Sequence, residues 1–251
     1  MRITMDSFSI QGKRNEQQDH CNYLIENEQG MAVVCDGVGG LRGGALASKY
    51  ASNRFQMDYR IWKELGGSLS RFLEEEGIRL DEGVFQLKDE DGGRLKAGTT
   101  IASMVYVKNE MYWLSIGDSK IFVYREGRLK CITREHNYGL LLKDMLENHG
   151  ITQEEYEAKQ SMSEGLISYL GMGNVRIMDV NQRPFKMLSG DVIILCTDGV
   201  HRVLSEEIIT GFINENANAP EGIVNAMQKA LMEIDSEGQD NATAIVIAVD
   251  L

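Results

Sequence analysis

The chain has 251 residues, 43% of them hydrophobic and 25% charged, which is enough for a substantial buried core. Its net charge of −12 excludes a nucleic-acid partner, because phosphate backbones call for clustered Lys and Arg. No Cys-x-x-Cys pair occurs, no basic-then-apolar leader follows Met1, and no apolar run reaches the roughly 18 residues of a membrane span, so the expected location is the cytoplasm.

The first buried strand is read at residues 31–35, an apolar run ended by Asp36-Gly37. Residues 43–59 are Ala-rich at their start and predict a helix. Residues 68–86 predict a second one, with Leu69, Phe72, Leu73, Leu80 and Val84 near helical spacing despite Gly77. Four short β-rich runs follow, at 100–107, 110–116, 120–125 and 128–133. Lys108-Asn109, Gly117-Asp118 and Glu126-Gly127 separate them, which predicts an antiparallel meander. Residues 137–182 read as short helices inserted between core strands; Thr152 and Glu155 have the spacing of a capping box. A second apolar run, 191–197, ends in Asp198-Gly199. Pro220 opens a helix with Ile223, Met227, Ala230 and Ile234 on one face, and a last strand, 242–249, follows Asp240-Asn241. Helices fall in blocks rather than alternating with strands, which favours α+β with antiparallel sheet.

An aspartate at the end of a buried strand is well placed to hold a cation. The strand fixes the backbone, the turn exposes the carboxylate, and glycine lets an ion approach the main chain. Asp91-Gly92 is an internal contrast: it lies in a charged stretch with no strand before it and reads as an ordinary turn. Asp36 and Asp198 have the strand that Asp91 lacks, and Asp118 and Asp240 stand at the borders of others.

The order of these motifs resembles the metal-dependent protein phosphatases, the type 2C Ser/Thr phosphatases, over nearly the whole chain. The matching pieces are Gly12-Lys-Arg14-Asn-Glu-Gln17-Gln18-Asp19, Asp36-Gly37-Val38-Gly39-Gly40, Gly98-Thr99-Thr100, Gly117-Asp118-Ser119-Lys120, Asp198-Gly199 and Asp240-Asn241. The resemblance implies an α-β-β-α sandwich with two central antiparallel sheets. It also implies a single catalytic domain over residues 1–251, and a flap beside the active site around residues 137–182.

It further implies hydrolysis of phosphoserine and phosphothreonine in protein substrates by a metal-activated bridging water. Two Mn²⁺ or Mg²⁺ ions are implied, with a place for a third. Asp36 would bridge the ions, with the Gly37 carbonyl beside it; Asp198 and Asp240 would hold the first ion; Asp118 would share a third with Asp198. Asp19 would act as a ligand through water or from behind, and Arg14 would bind the substrate phosphate. A cognate Ser/Thr kinase is the expected partner by the same resemblance. Lys120 replaces the family's usual Arg. Val38 stands where eukaryotic members often have a His, as is common in bacterial members.

Other readings compete. Cys196 and Arg202 have the Cys-x₅-Arg spacing of a cysteine phosphatase, although Asp198 inside that loop would repel phosphate. An inactive, phosphoprotein-binding relic of the same fold is the alternative function. A nucleotide loop at 36–44 lacks the Gly-x-x-x-x-Gly-Lys pattern. His20, His136, His149 and His201 show no ligand spacing and read as exposed or ordinary polar residues.

Overall fold

A computed structural model describes residues 2–26, 28–38, 43–234 and 238–250. In chain order the strands are β1 (Arg2–Ile10), β2 (His20–Glu26), β3 (Gln29–Cys35), β4 (Ile101–Val107), β5 (Glu110–Ile116), β6 (Lys120–Arg125), β7 (Arg128–Cys131), β8 (Asp179–Val180), β9 (Phe185–Lys186), β10 (Val192–Cys196) and β11 (Ala242–Asp250). The helices are α1 (Gly44–Leu65), α2 (Leu69–Phe85), α3 (Tyr138–Glu147), α4 (Gln153–Lys159), α5 (Asp198–His201), α6 (Glu206–Glu215) and α7 (Pro220–Met232).

The strands form two antiparallel sheets. One has the order β1-β11-β10-β6-β7; the other has β2-β3-β4-β5-β8, with β9 also on β5. The inner strands are mostly apolar on both faces because both faces are covered. Val33 and Cys35 face the helical layer of α1 and α2, whereas Ala32 and Val34 face the space between the sheets. Ile194 and Cys196 likewise face the layer of α6 and α7, and Ile193 and Leu195 face inward. Period-2 alternation thus builds three apolar layers and the expected four-layer α-β-β-α order.

The predicted meander is corrected. Its four strands are two hairpins in different sheets: β4-β5 in one, β6-β7 in the other. The chain crosses between them at Gly117-Asp118-Ser119. Gly117 has φ +105°, and a Cβ there would strike Thr100, so only glycine makes the crossing without strain. The segment 137–182 also differs from expectation. α3 and α4 form with Asn137 as N-cap and the Thr152/Glu155 capping box in place. Residues 166–171 are not helical, however: Leu166 bridges Asn137 and Leu170 bridges Thr99. Its last residues, β8, complete an edge of the β2-containing sheet.

Candidate functional site

Strand register brings the site together. Cys35 at the end of β3 pairs with His20 at the start of β2; Cys196 at the end of β10 pairs with Lys120 and Ala244. Antiparallel pairing therefore puts the loops after β3, β5 and β10 and the loop before β11 at one end of the sandwich. A cleft of about 590 Å³ opens there. Arg14, Asp36, Gly37, Asp118, Asp198 and Asp240 all line it. Asp19 does not; it is buried behind them, accepting a 2.9 Å hydrogen bond from the Thr197 hydroxyl. Asp91, the contrasting turn aspartate, is exposed and lines no part of this cleft. Gly39 and Gly40 of the predicted motif lie outside the described residues.

The Asp36-Gly37 turn is held by its backbone. The Asp36 amide donates to Thr100 Oγ1 at 3.0 Å, and its carbonyl accepts from the Thr99 hydroxyl and the Thr100 amide, both at 2.8 Å. The Gly37 amide donates to the Gln18 carbonyl at 3.1 Å, and a Cβ on Gly37 would run into the backbones of Gly44 and Gln18. Asp118 sits in the crossing, with Ser119 Oγ 2.7 Å from Thr100 Oγ1. Asp198 begins α5 rather than a simple turn.

The electrostatics are those of crowded negative charge. Burial pushes the Asp36 carboxyl well above the usual carboxylate range, and the charges of Asp19 and Asp198 push it further. Burial, then Asp198 and Asp240, raises Asp19 to about 7, against the Thr197 hydrogen bond. Asp118 rises to about 6 through burial and Asp198, with Arg202 pulling it back. Two guanidiniums answer part of this charge. Arg14 meets Asp240 at 2.6 Å; Arg202 reaches Asp118 at 3.1 Å and Asp198 at 3.3 Å.

These residues fit hard divalent cations by their chemistry. The donors are oxygens, Asp19 Oδ1 is buried without a hydrogen-bond partner, and the raised carboxyls mark charge that a cation would balance. Among the described residues, no three His, Cys, Asp or Glu side chains close tightly around one point. Two arginines pair with these carboxylates: Asp240 with Arg14, and Asp118 and Asp198 with Arg202.

Sequence reasoning gave Asn241 no role of its own. Asn241 Oδ1 accepts the Gln18 amide at 2.8 Å while its Nδ2 donates to the carbonyls of Gln11 (2.7 Å) and Glu16 (3.1 Å). It anchors the loop that carries Arg14. Its place in the Asp240-Asn241 motif was the signal for it.

His136 and His201 are not exposed but are hydrogen-bonded polar residues at the crossing. His136 is fully buried, its Nδ1 accepting the Gly117 amide at 3.1 Å, and burial lowers His201 to about 4 beside the Asp118 carbonyl. The thiolate reading of Cys196 fails on burial. The side chain lies inside the β10/α6–α7 layer, and desolvation pushes its thiol far upward.

No family model matches the sequence. It is 25% identical over 248 residues to the protein phosphatase PhpP of Streptococcus pneumoniae, covering 95% of this chain and 94% of that protein. The S. agalactiae serine/threonine phosphatase structure superposes with a TM-score of 0.78 at 21% identity, over 99% of this chain and 100% of that one. The catalytic domain of the serine/threonine protein phosphatase PstP, solved with two manganese ions, matches with a TM-score of 0.72 at 21% identity, over 99% of each chain.

Proposed function

We propose that the chain is a bacterial-type member of the PPM, or type 2C, protein phosphatases, to which it is similar over most of its length, and that it hydrolyses phosphoserine and phosphothreonine in proteins, using divalent cations held in the aspartate-lined cleft. The observation that carries this reading is convergence. Arg14, Asp36, Asp118, Asp198 and Asp240 come from separate segments, Arg14 and Asp240 lying 226 positions apart, yet line one cavity.

In this proposal Asp36 and the Gly37 carbonyl would help hold the ions. Asp198 and Asp240 would hold one of them, Asp118 with Asp198 would offer a third position, and Asp19 would contribute its buried carboxylate from behind. An all-oxygen set suits Mn²⁺ or Mg²⁺. Bound there, such ions would supply the Lewis acidity that stabilises phosphoryl oxygens and makes water nucleophilic near neutral pH.

Arg14 binds the substrate phosphate through its planar fork. It rests on Asp240, and both side chains are partly exposed (54% and 37%), so an incoming phosphate displaces a weak ion pair. Val38, in the cleft wall, carries no proton, so the leaving hydroxyl is not protonated from that position. Thr100 and Asn241 position the loops around these groups.

A Ser/Thr kinase acting on the same proteins is the expected counterpart. An inactive relic would be expected to lose acidic residues, and this chain keeps all of them. The test is hydrolysis of a phosphothreonine peptide. Activity should require Mn²⁺ or Mg²⁺, and Arg14→Ala should raise KM more than it lowers kcat. Peptide binding without turnover in Mn²⁺ would support the relic instead.

A further inference from the structure

Arg202 has no role in the reading above, yet it makes the most connected charge contact in the cleft. Its Nε lies 3.3 Å from Asp198 Oδ2, one nitrogen of its fork lies 3.1 Å from Asp118 Oδ2, and the other lies 2.9 Å from Glu164 Oε2. The three carboxylates come from α5, from the crossing between the sheets, and from the segment between α4 and β8. Guanidinium keeps its charge throughout the working pH range and offers donors in a fixed fork, so one side chain can serve several acceptors at once.

The position matters as much as the charge. Asp118 and Asp198 are the pair assigned above to a third ion. Glu164 is on the far side of Arg202; with Gly165, Leu166 and Tyr169 it forms the wall of the cleft contributed by the flap-like segment. Leu166 is tied to Asn137 by a backbone bridge, whereas Glu164 is 74% exposed and reaches the site through Arg202.

We propose that Arg202 is the built-in cation of the Asp118–Asp198 corner, standing where a third divalent ion would otherwise bind, and that through Glu164 it latches the flap-like segment over the cleft. This rests on the metal-site reading of the Asp36–Asp198–Asp240 cluster. It predicts a centre whose ion count is set by the protein chain: Asp118 is already paired with a cation, so ions occupy only the remaining positions. The latch is a partly exposed ion pair, strong enough to bias the segment closed and weak enough to open for a protein substrate.

Two readouts test it. In the first, Mn²⁺ bound per chain is counted by titration followed by electron paramagnetic resonance of the free ion. Asp118→Asn should bind as many ions as wild type. Arg202→Ala should bind one more, and Arg202→Ala/Asp118→Asn should lose it again. Arg202→Lys should match wild type, since it keeps a charge there. Loss of an ion from Asp118→Asn with Arg202 intact would overturn the proposal, because it would mean that the ion displaces the arginine.

The second readout is amide hydrogen exchange across residues 160–170. Glu164→Gln, Arg202→Ala and Arg202→Lys should each speed it by about two- to fivefold, the span of an exposed ion pair. Unchanged exchange in all three would overturn the latch. Absence of Mn²⁺ binding in every variant would instead sink the metal-site reading, and the exchange data would still decide the latch.

Discussion

The Thr197 hydroxyl donates to Asp19 Oδ2 at 2.9 Å, joining the end of β10 to a carboxylate that lies behind the cleft wall. The other oxygen of Asp19 is buried without a partner, and Asp198 and Asp240 repel the charge. Such a group destabilises the protein until a cation balances it. Asp19→Asn should therefore raise the melting temperature of the metal-free protein by a few degrees, worth about 1 kcal/mol. It should also reduce the further rise caused by Mn²⁺. Scanning calorimetry with and without Mn²⁺ checks both; a lower metal-free melting temperature in Asp19→Asn would contradict the account.

Asn241 makes three hydrogen bonds to the loop that carries Arg14, and its amide needs both donor and acceptor ends to do so. Asn241→Asp keeps the shape but turns two donors into acceptors that face carbonyls. It should lose about 2–3 kcal/mol of stability in urea unfolding and raise KM for a phosphopeptide through Arg14. An unchanged KM would separate Asn241 from Arg14 positioning.

Asp81 on α2 is buried and accepts three backbone amides, those of Gly171 (2.7 Å), Gly173 (3.1 Å) and Val175 (2.9 Å). Asp81→Ala leaves these donors without their partner and should cost about 3–5 kcal/mol. Asp81→Asn, which keeps an acceptor oxygen, should cost less. Equal unfolding midpoints for the two variants would show that the contacts contribute little.

Glu76 gives a pH dependence away from the cleft. It is fully buried between α1 and α2; burial and then Asp58 push it from 4.5 up to about 8, although Arg79 pairs with it at 2.9 Å. The folded state thus holds this proton more tightly than the unfolded chain does. The stabilisation is complete below about pH 4.5 and is lost as pH rises towards 8, by up to about 1.4 kcal/mol per pH unit. Glu76→Gln should flatten that slope and raise stability at pH 8. The stability profile of wild type against the variant checks it; parallel profiles would contradict it.

The core strands were legible because they are short runs dominated by apolar residues, and the strand-end aspartates because each stands at the border of such a run. β1 was not legible. It buries Ile3 between the sheets but Phe8 against the α7 layer, so its apolar residues fall on opposite parities and no single alternation appears. The split of the meander was hidden because a crossing between sheets and a hairpin turn both call for Gly-Asp. Arg202 was hidden by distance: its partner Asp118 is 84 positions away, and its spacing from Cys196 suggested a thiol chemistry that burial forbids.

The most direct test of the central claim is release of phosphate from a phosphothreonine peptide at fixed pH, measured against Mn²⁺ concentration for wild type and Asp36→Asn. Rates should rise from background to saturation in wild type, fall to background with EDTA, and fall by at least about 100-fold in Asp36→Asn at saturating metal. Full wild-type activity in EDTA, or an undiminished Asp36→Asn, would contradict a metal-dependent phosphatase built on these aspartates.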